Sequence, residues 1–179
     1  QPGAITPRNP MALGLPPNVL QTLIILAGIT CCIAMAMPQV HIVAYCVDLG
    51  FGAARGAQML SVMLASGIAS RLIFGFIMDR IGGVRTLVLS SLLQGIALLM
   101  FLPSDGLMAL FLVSFMFGLF QGGLVPCYAM IVRENFPPSQ AGSRVGLALS
   151  STMVGMAIGG WMAGALFDAT GGYTAAMWN

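Results

Sequence analysis

Five stretches of this sequence are each long and apolar enough to cross a bilayer, and only short polar segments separate them. They run from about Val19 to Val47, Ala54 to Met78, Val84 to Leu102, Leu107 to Val132 and Val145 to Phe167. A membrane-spanning helix needs ~20 mostly apolar residues, so each run qualifies. Of the 179 residues only 7% are charged and 58% are hydrophobic. Soluble domains average ~25% charged, which excludes a water-soluble globule. The expected fold is all-α: a polytopic transmembrane bundle of five complete spans, with a sixth starting at Tyr173. The proline-rich segment 1–17 (Pro2, Pro7, Pro10, Pro16 and Pro17) cannot hold a regular helix and reads as a loop. That divides the chain into a tail, 1–17, and a transmembrane domain, 18–179.

The remaining composition is mostly exclusion. A net charge of +2, scattered along the chain, does not suit nucleic acid. Cys31, Cys32, Cys46 and Cys127 lie in or beside apolar runs with no C-x-x-C pair, which reads as free thiols and not as a disulfide or zinc framework. The fourteen methionines lack a clustered pattern and are flexible packing. No paired carboxylates, Ser/His/Asp set or metal-ligand spacing is present, so the expectation is no enzyme, no metal and no cofactor. The chain opens Gln-Pro-Gly and stops where another apolar run begins, which reads as a fragment without a cleavable signal peptide.

Arginine placement sets the orientation. Alternate loops carry Arg8, then Arg80 and Arg85, then Arg133 and Arg144; the opposite loops carry Asp48, Asp105 and Asp168 with Arg55 alone. By the positive-inside rule, residues 1–17, 79–85 and 133–144 are expected in the cytoplasm, with the protein in the plasma (inner) membrane. The pattern Gly75-x-x-x-Asp79-x-x-Gly82-Gly83 ends the second run and returns as Gly164-x-x-x-Asp168-x-x-Gly171-Gly172 at the end of the fifth. The two copies fall on opposite faces of the membrane, the arrangement of a 3+3 inverted repeat. Asp79, Arg80 and Arg85 are candidate gating residues; the plainer reading of Arg80 and Arg85 is topology marking alone.

At these residues the chain resembles the major facilitator superfamily. Gly75-Phe-Ile-Met-Asp79-Arg80-Ile-Gly82-Gly83-Val-Arg85 is similar to its loop motif G-x-x-x-D-R-x-G-x-x-R, in the copy joining helices eight and nine. The resemblance implies helices seven to eleven and the start of twelve of a twelve-helix transporter, with the N-terminal six helices as the missing partner half. More narrowly, Tyr45-x-x-Asp48-x-Gly50-Phe51, Arg71-Leu-Ile-Phe-Gly75 and Phe167-Asp168-Ala-Thr-Gly171-Gly172-Tyr173 resemble the monocarboxylate transporter and oxalate/formate antiporter branch. That branch implies a small organic anion as substrate and an arginine at the position of Arg71 that binds its carboxylate. Two departures stand out. The acid that monocarboxylate transporters carry one turn before that arginine is Gly67 here, and Val145 to Phe167 holds no counterpart of the antiporter's lysine.

Arg71 is the one charge well inside a run. It lies eight residues before Asp79, about 12 Å from the helix end at 1.5 Å per residue and so near the midplane. A guanidinium there costs a few kcal/mol and must face a cavity, water or a partner. A bidentate clamp on a substrate carboxylate is one reading; an ion pair with the other half, or snorkelling to the surface, is the other. His41, the only histidine, is a candidate proton carrier or substrate donor, or an interfacial hydrogen-bonding group. Tyr45 lies one turn on. Gln121 and Tyr128 flank the Gly122-Gly123 and Pro126 interruption and read either as substrate contacts or as helix–helix hydrogen bonds. Ser151, Gly155 and Gly159 form a packing stripe, while Trp161 and Tyr173 suit the outer interface. The functional expectation is alternating-access transport of a monocarboxylate-like anion, by symport or antiport, with proton coupling through His41 open. The alternatives are a transporter for another solute (sugar, drug or nitrate), or a non-transporting membrane sensor or assembly protein.

Overall fold

A computed structural model describes residues 14–104 and 106–171. The described chain is helical almost throughout: α1 Pro17–Asp48, α2 Ala53–Ile81, α3 Gly83–Phe101, α4 Leu107–Gln121, α5 Leu124–Asn135 and α6 Pro138–Thr170. Helices α4 and α5 are two halves of one span, Leu107–Asn135, so five helical segments are long and apolar enough to cross a membrane. Leu72, Phe76, Met108 and Trp161 are more than 60% exposed, as side chains facing lipid would be. The expected tail residues 1–13, Asp105, Gly172, Tyr173 and the start of a sixth span lie outside the described residues.

Two expectations about the polar segments need correction. The loop expected over Arg133–Arg144 is helical at both ends: α5 runs to Asn135 and α6 starts at Pro138, leaving Phe136 and Pro137 as the link. Proline's fixed φ preorganises a first helical turn, and Gln140 Oε1 accepts from Arg144 Nε at 3.0 Å across the next. Asp79 and Arg80 are likewise inside α2, not in a turn; Gly82 alone joins α2 to α3. Pro38 sits within a continuous α1. By contrast the fourth span does break, at Gly122-Gly123. Pro126 falls in the first turn of α5, where a missing N–H breaks no helical bond.

The repeated turn has a shared backbone cause. Gly82 closes α2 at φ +85° and Gly171 closes α6 at φ +69°, conformations that a Cβ disfavours. Each donates its N–H four residues back, Gly82 to Met78 O at 2.9 Å and Gly171 to Phe167 O at 2.8 Å. The repeat extends far beyond this turn. The 89-residue offset that carries Gly75 onto Gly164 also carries Ile29 and Ile33 of α1 onto Gly118 and Gly122 of α4. It carries Ser66 and Ser70 of α2 onto Gly155 and Gly159 of α6. Gly155 and Gly159 press against Ile29 and Ile33, where an added Cβ would lie 2.5 Å from each carbonyl oxygen. Gly118 and Gly122 press in the same way against Ser66 and Ser70. The α1–α6 and α2–α4 seams, the most extensive helix packings in the bundle, are therefore symmetry copies of one another. With three spans per unit, the second unit runs the opposite way through the membrane.

Between the seams lies an apolar core from four spans. Met59 and Met63 of α2 pack with Ile42 and Cys46 of α1, and Phe101 of α3 meets Phe117 of α4 edge-on at 6.1 Å between ring centroids. Cys31, Cys32, Cys46 and Cys127 are all unpaired thiols.

The seams generate a graded test. Gly118→Val and Gly159→Val should each destabilise the purified protein by about 1–3 kcal/mol through overpacking, read as lowered thermal midpoints in detergent. Gly75→Ala, where a Cβ meets nothing within 4 Å, should not lower the midpoint and should raise stability by up to about 1 kcal/mol through helix preference.

Candidate functional site

Arg71 sits on α2 between two faces with different duties. One face, Met63, Gly67, Ser70 and Phe74, is buried in the bundle; the other, Ile68, Leu72 and Phe76, is exposed and apolar. Arg71 occupies the flank between them, with Leu64, Gly75 and Met78. Its side chain is exposed and forms no hydrogen bond or ion pair with a described residue. Gly67 faces α4, where an added Cβ would lie 3.7 Å from the Gly118 carbonyl oxygen, and a Cβ on Gly75 would meet nothing within 4 Å. Room beside the guanidinium therefore comes from Gly75 and not from Gly67.

The break in the fourth span lies level with this arginine. A Cβ on Gly122 would come within 2.6 Å of the Gly67 carbonyl oxygen and of Ser70 Oγ, and one on Gly123 within 2.5 Å of the Phe74 ring. Thus Gly122-Gly123 rests on Gly67–Phe74, the turn centred on Arg71. Two buried oxygens at this level, Ser70 Oγ beside Arg71 in sequence and Gln121 Oε1 beside the break, have no hydrogen-bond partner among the described residues. Gln121 and Arg71 are brought together at one depth.

The other candidates are placed differently. Tyr128 is fully buried and donates its hydroxyl to Ala27 O of α1 at 3.1 Å, a helix–helix bond. His41 Nε2 lies 3.0 Å from Gly160 O of α6, and a carbonyl only accepts, so that ring nitrogen carries the proton. Tyr45 packs between the main core and a smaller cluster of Met37, Ala163 and Phe167. Val43 and Cys46 meet Gly56 and Met59, so His41 is level with the outer part of α2, roughly 15 Å along the helix from Arg71. A small carboxylate cannot touch both in this conformation. The position in α6 equivalent to Arg71 is Gly160, whose carbonyl His41 engages.

At the far end of α2, Asp79, Arg80, Gly82, Gly83 and Arg85 line one open cavity with Met130, Glu134 and Asn135. Here Glu134 of α5 engages the start of α3. Its Oε2 accepts from Gly83 N–H at 3.4 Å, setting a carboxylate at the positive end of the α3 dipole. Glu134 is the one acid in the 133–144 segment, a signal that sequence reading could have used. Gln94 was also missed: buried in α3, it donates to Cys31 O at 3.2 Å and accepts from Cys31 Sγ at 3.4 Å. Asp168 is exposed at the end of α6. Among the described residues no cluster of three His, Cys, Asp or Glu could hold a metal.

An arginine beside a broken span, an inverted repeat and a glycine-capped charged helix end now stand together, and comparison with known proteins agrees. Residues 22–179 match the model of the Major Facilitator Superfamily. The chain belongs to that superfamily. Among curated relatives, Monocarboxylate transporter 13 of Rattus norvegicus is 30% identical over 141 residues, covering 78% of this chain and 33% of that protein. The protein of the same name from Bos taurus is 29% identical over the same length. This chain thus spans about a third of the length of these relatives. As a superfamily member with five membrane-crossing segments, it is part of an integral multi-pass membrane protein.

Tyr128→Phe should cost about 0.6–1.5 kcal/mol of stability, the worth of one interhelical hydrogen bond in a membrane protein. Glu134→Gln should cost about 0.3–1 kcal/mol by removing the charge facing α3. Thermal or denaturant unfolding in detergent checks both; a silent Tyr128→Phe would show that the Ala27 bond contributes nothing.

Proposed function

We propose that this chain is one half of a secondary transporter that moves a small monocarboxylate by alternating access, with Arg71 as the carboxylate clamp. The observation that carries the reading is a guanidinium near mid-span, unpaired among the described residues and level with the one break in a described span. Such a charge is costly in hydrocarbon and is stabilised by a water-filled cavity and an anion in it. The planar fork of arginine matches two carboxylate oxygens. Arg71 is the only charge deep within a described span, which suits a monoanion better than a dianion. The names of the relatives point the same way.

Around this site, the conformational parts are the turn residues. Gly75 and Gly82 let α2 end freely, Arg80 and Arg85 hold that end on the cytoplasmic side, and Asp79 with Glu134 faces the approach of the other six helices. His41 is the candidate proton-coupling group, and its bond to the Gly160 carbonyl sets it on the α1–α6 seam. We place the protein in the plasma membrane with the arginine-rich ends inside.

Uptake of a labelled monocarboxylate into proteoliposomes holding the full-length transporter tests this reading. Arg71→Gln should lower transport efficiency about 10–100-fold, matching the ~1.5–3 kcal/mol of a charged hydrogen bond. Arg71→Lys should recover part of it, losing the two-point contact. His41→Gln should flatten the dependence on an imposed pH gradient. Undiminished uptake in both Arg71 variants would remove the clamp.

A further inference from the structure

A separate cavity lies away from Arg71, at the arginine-rich end of the bundle. Here the start of α1 meets the α5–α6 link around a cavity of about 460 Å³. Among the described residues Arg144 is the only charged side chain in its wall, and no acid lines it. This guanidinium is held in place: its carbon lies 4.2 Å over the Phe136 ring, and Nε donates to Gln140 Oε1 at 3.0 Å. Stacking fixes the plane of the fork, and Gln140 engages its inner nitrogen, so the two terminal nitrogens have no acceptor among the described residues. Gln21, from α1, donates to the Arg144 carbonyl at 3.4 Å and ties the two helices across the floor.

The cavity also borders two helix N-termini of one unusual design. Both α1 and α6 begin with a Pro-Pro pair, Pro16-Pro17 and Pro137-Pro138, and neither has a side-chain cap. Most helices satisfy their first amides with Ser, Thr, Asp or Asn. Here the caps have no side-chain acceptor to offer, and the amides of Asn18 and Ser139 have none among the described residues. Two uncapped positive dipole ends and a pinned guanidinium all favour negative charge. The apolar wall of prolines and Phe136 suits an uncharged stem beside the anion.

We propose that this cavity binds a phosphate group, carried by an anionic lipid headgroup or by a soluble phosphate, with Arg144 as its fork-shaped donor. The span ends at this level place the cavity at the membrane edge, where headgroup phosphates lie. A ligand here bridges α1 and α6, so it fastens the α1–α6 seam from its end. The site is independent of what Arg71 binds.

The test is thermal unfolding of the purified protein in nanodiscs, with no transport measured. One arm compares phosphatidylcholine alone with phosphatidylcholine plus phosphatidylglycerol. The other adds inorganic phosphate, against chloride at equal ionic strength, to phosphatidylcholine discs. A ligand that binds the folded state raises the midpoint, by a few degrees for a well-occupied site. The rise should appear for wild type and for Arg85→Gln, shrink in Arg144→Lys and vanish in Arg144→Gln. A rise only with phosphatidylglycerol assigns the headgroup; one with inorganic phosphate assigns the soluble source. Because each variant is compared with itself, loss of the Phe136 stack does not blur the result. An equal rise in wild type and Arg144→Gln, or no rise in either arm, overturns the site.

Discussion

Two pairs of helices are pressed together until backbone meets backbone, and these seams set the depth of Arg71 and of the break in the fourth span. Lipid gives helices no hydrophobic reason to associate, so close van der Waals contact must supply the attraction. Gly155 and Gly159 bring α6 onto the carbonyls of α1, and Gly118 and Gly122 bring α4 onto α2. The second seam matters most for function. It sets the Gly122-Gly123 break against the turn of α2 that carries Arg71, so one packing device fixes both the charge and the gap beside it.

The same seams explain why the repeated turn and the arginine have separate duties. Gly82 and Gly171 are equivalent, and both end a helix at positive φ. Arg71 and Gly160 are equivalent as well, yet one is a cation and the other offers a carbonyl to His41. Symmetry governs the scaffold, and the two candidate side chains lie where the symmetry is broken. On one side of the bundle the equivalent depth is occupied by a guanidinium unpaired among the described residues; on the other, by a histidine holding two helices together.

Much of this was legible in the sequence, because hydrocarbon imposes a coarse and unforgiving pattern. Five long apolar runs gave five spans, and a lone arginine within one of them stood out. The repeat was visible only at its turn, since the seam positions pair Ile29 with Gly118 and Ser66 with Gly155, residues whose likeness lies in where they pack. Polarity misled at the ends of spans: Arg133–Arg144 looked like a loop, but helices extend past the membrane edge when proline starts the first turn and side chains bridge the next. Candidate contacts were harder to separate. Gln121 and Tyr128 lie on one stripe of a notional continuous helix, but the break and the reach of the side chain send the tyrosine to Ala27 and leave the glutamine oxygen unpaired. Nothing in one-dimensional spacing distinguishes those outcomes. Glu134 was passed over because its partner is a backbone amide, which carries no sequence signature.

The central claim is that Arg71 recognises a carboxylate by charge and shape together. Equilibrium binding of a small monocarboxylate and of its uncharged amide isostere, each to wild type and to Arg71→Gln, isolates that claim from every later step of transport. The account predicts that wild type prefers the carboxylate strongly and that Arg71→Gln abolishes the preference while leaving amide binding unchanged. A carboxylate preference that survives in Arg71→Gln would contradict it and place the anion's recognition elsewhere in the protein.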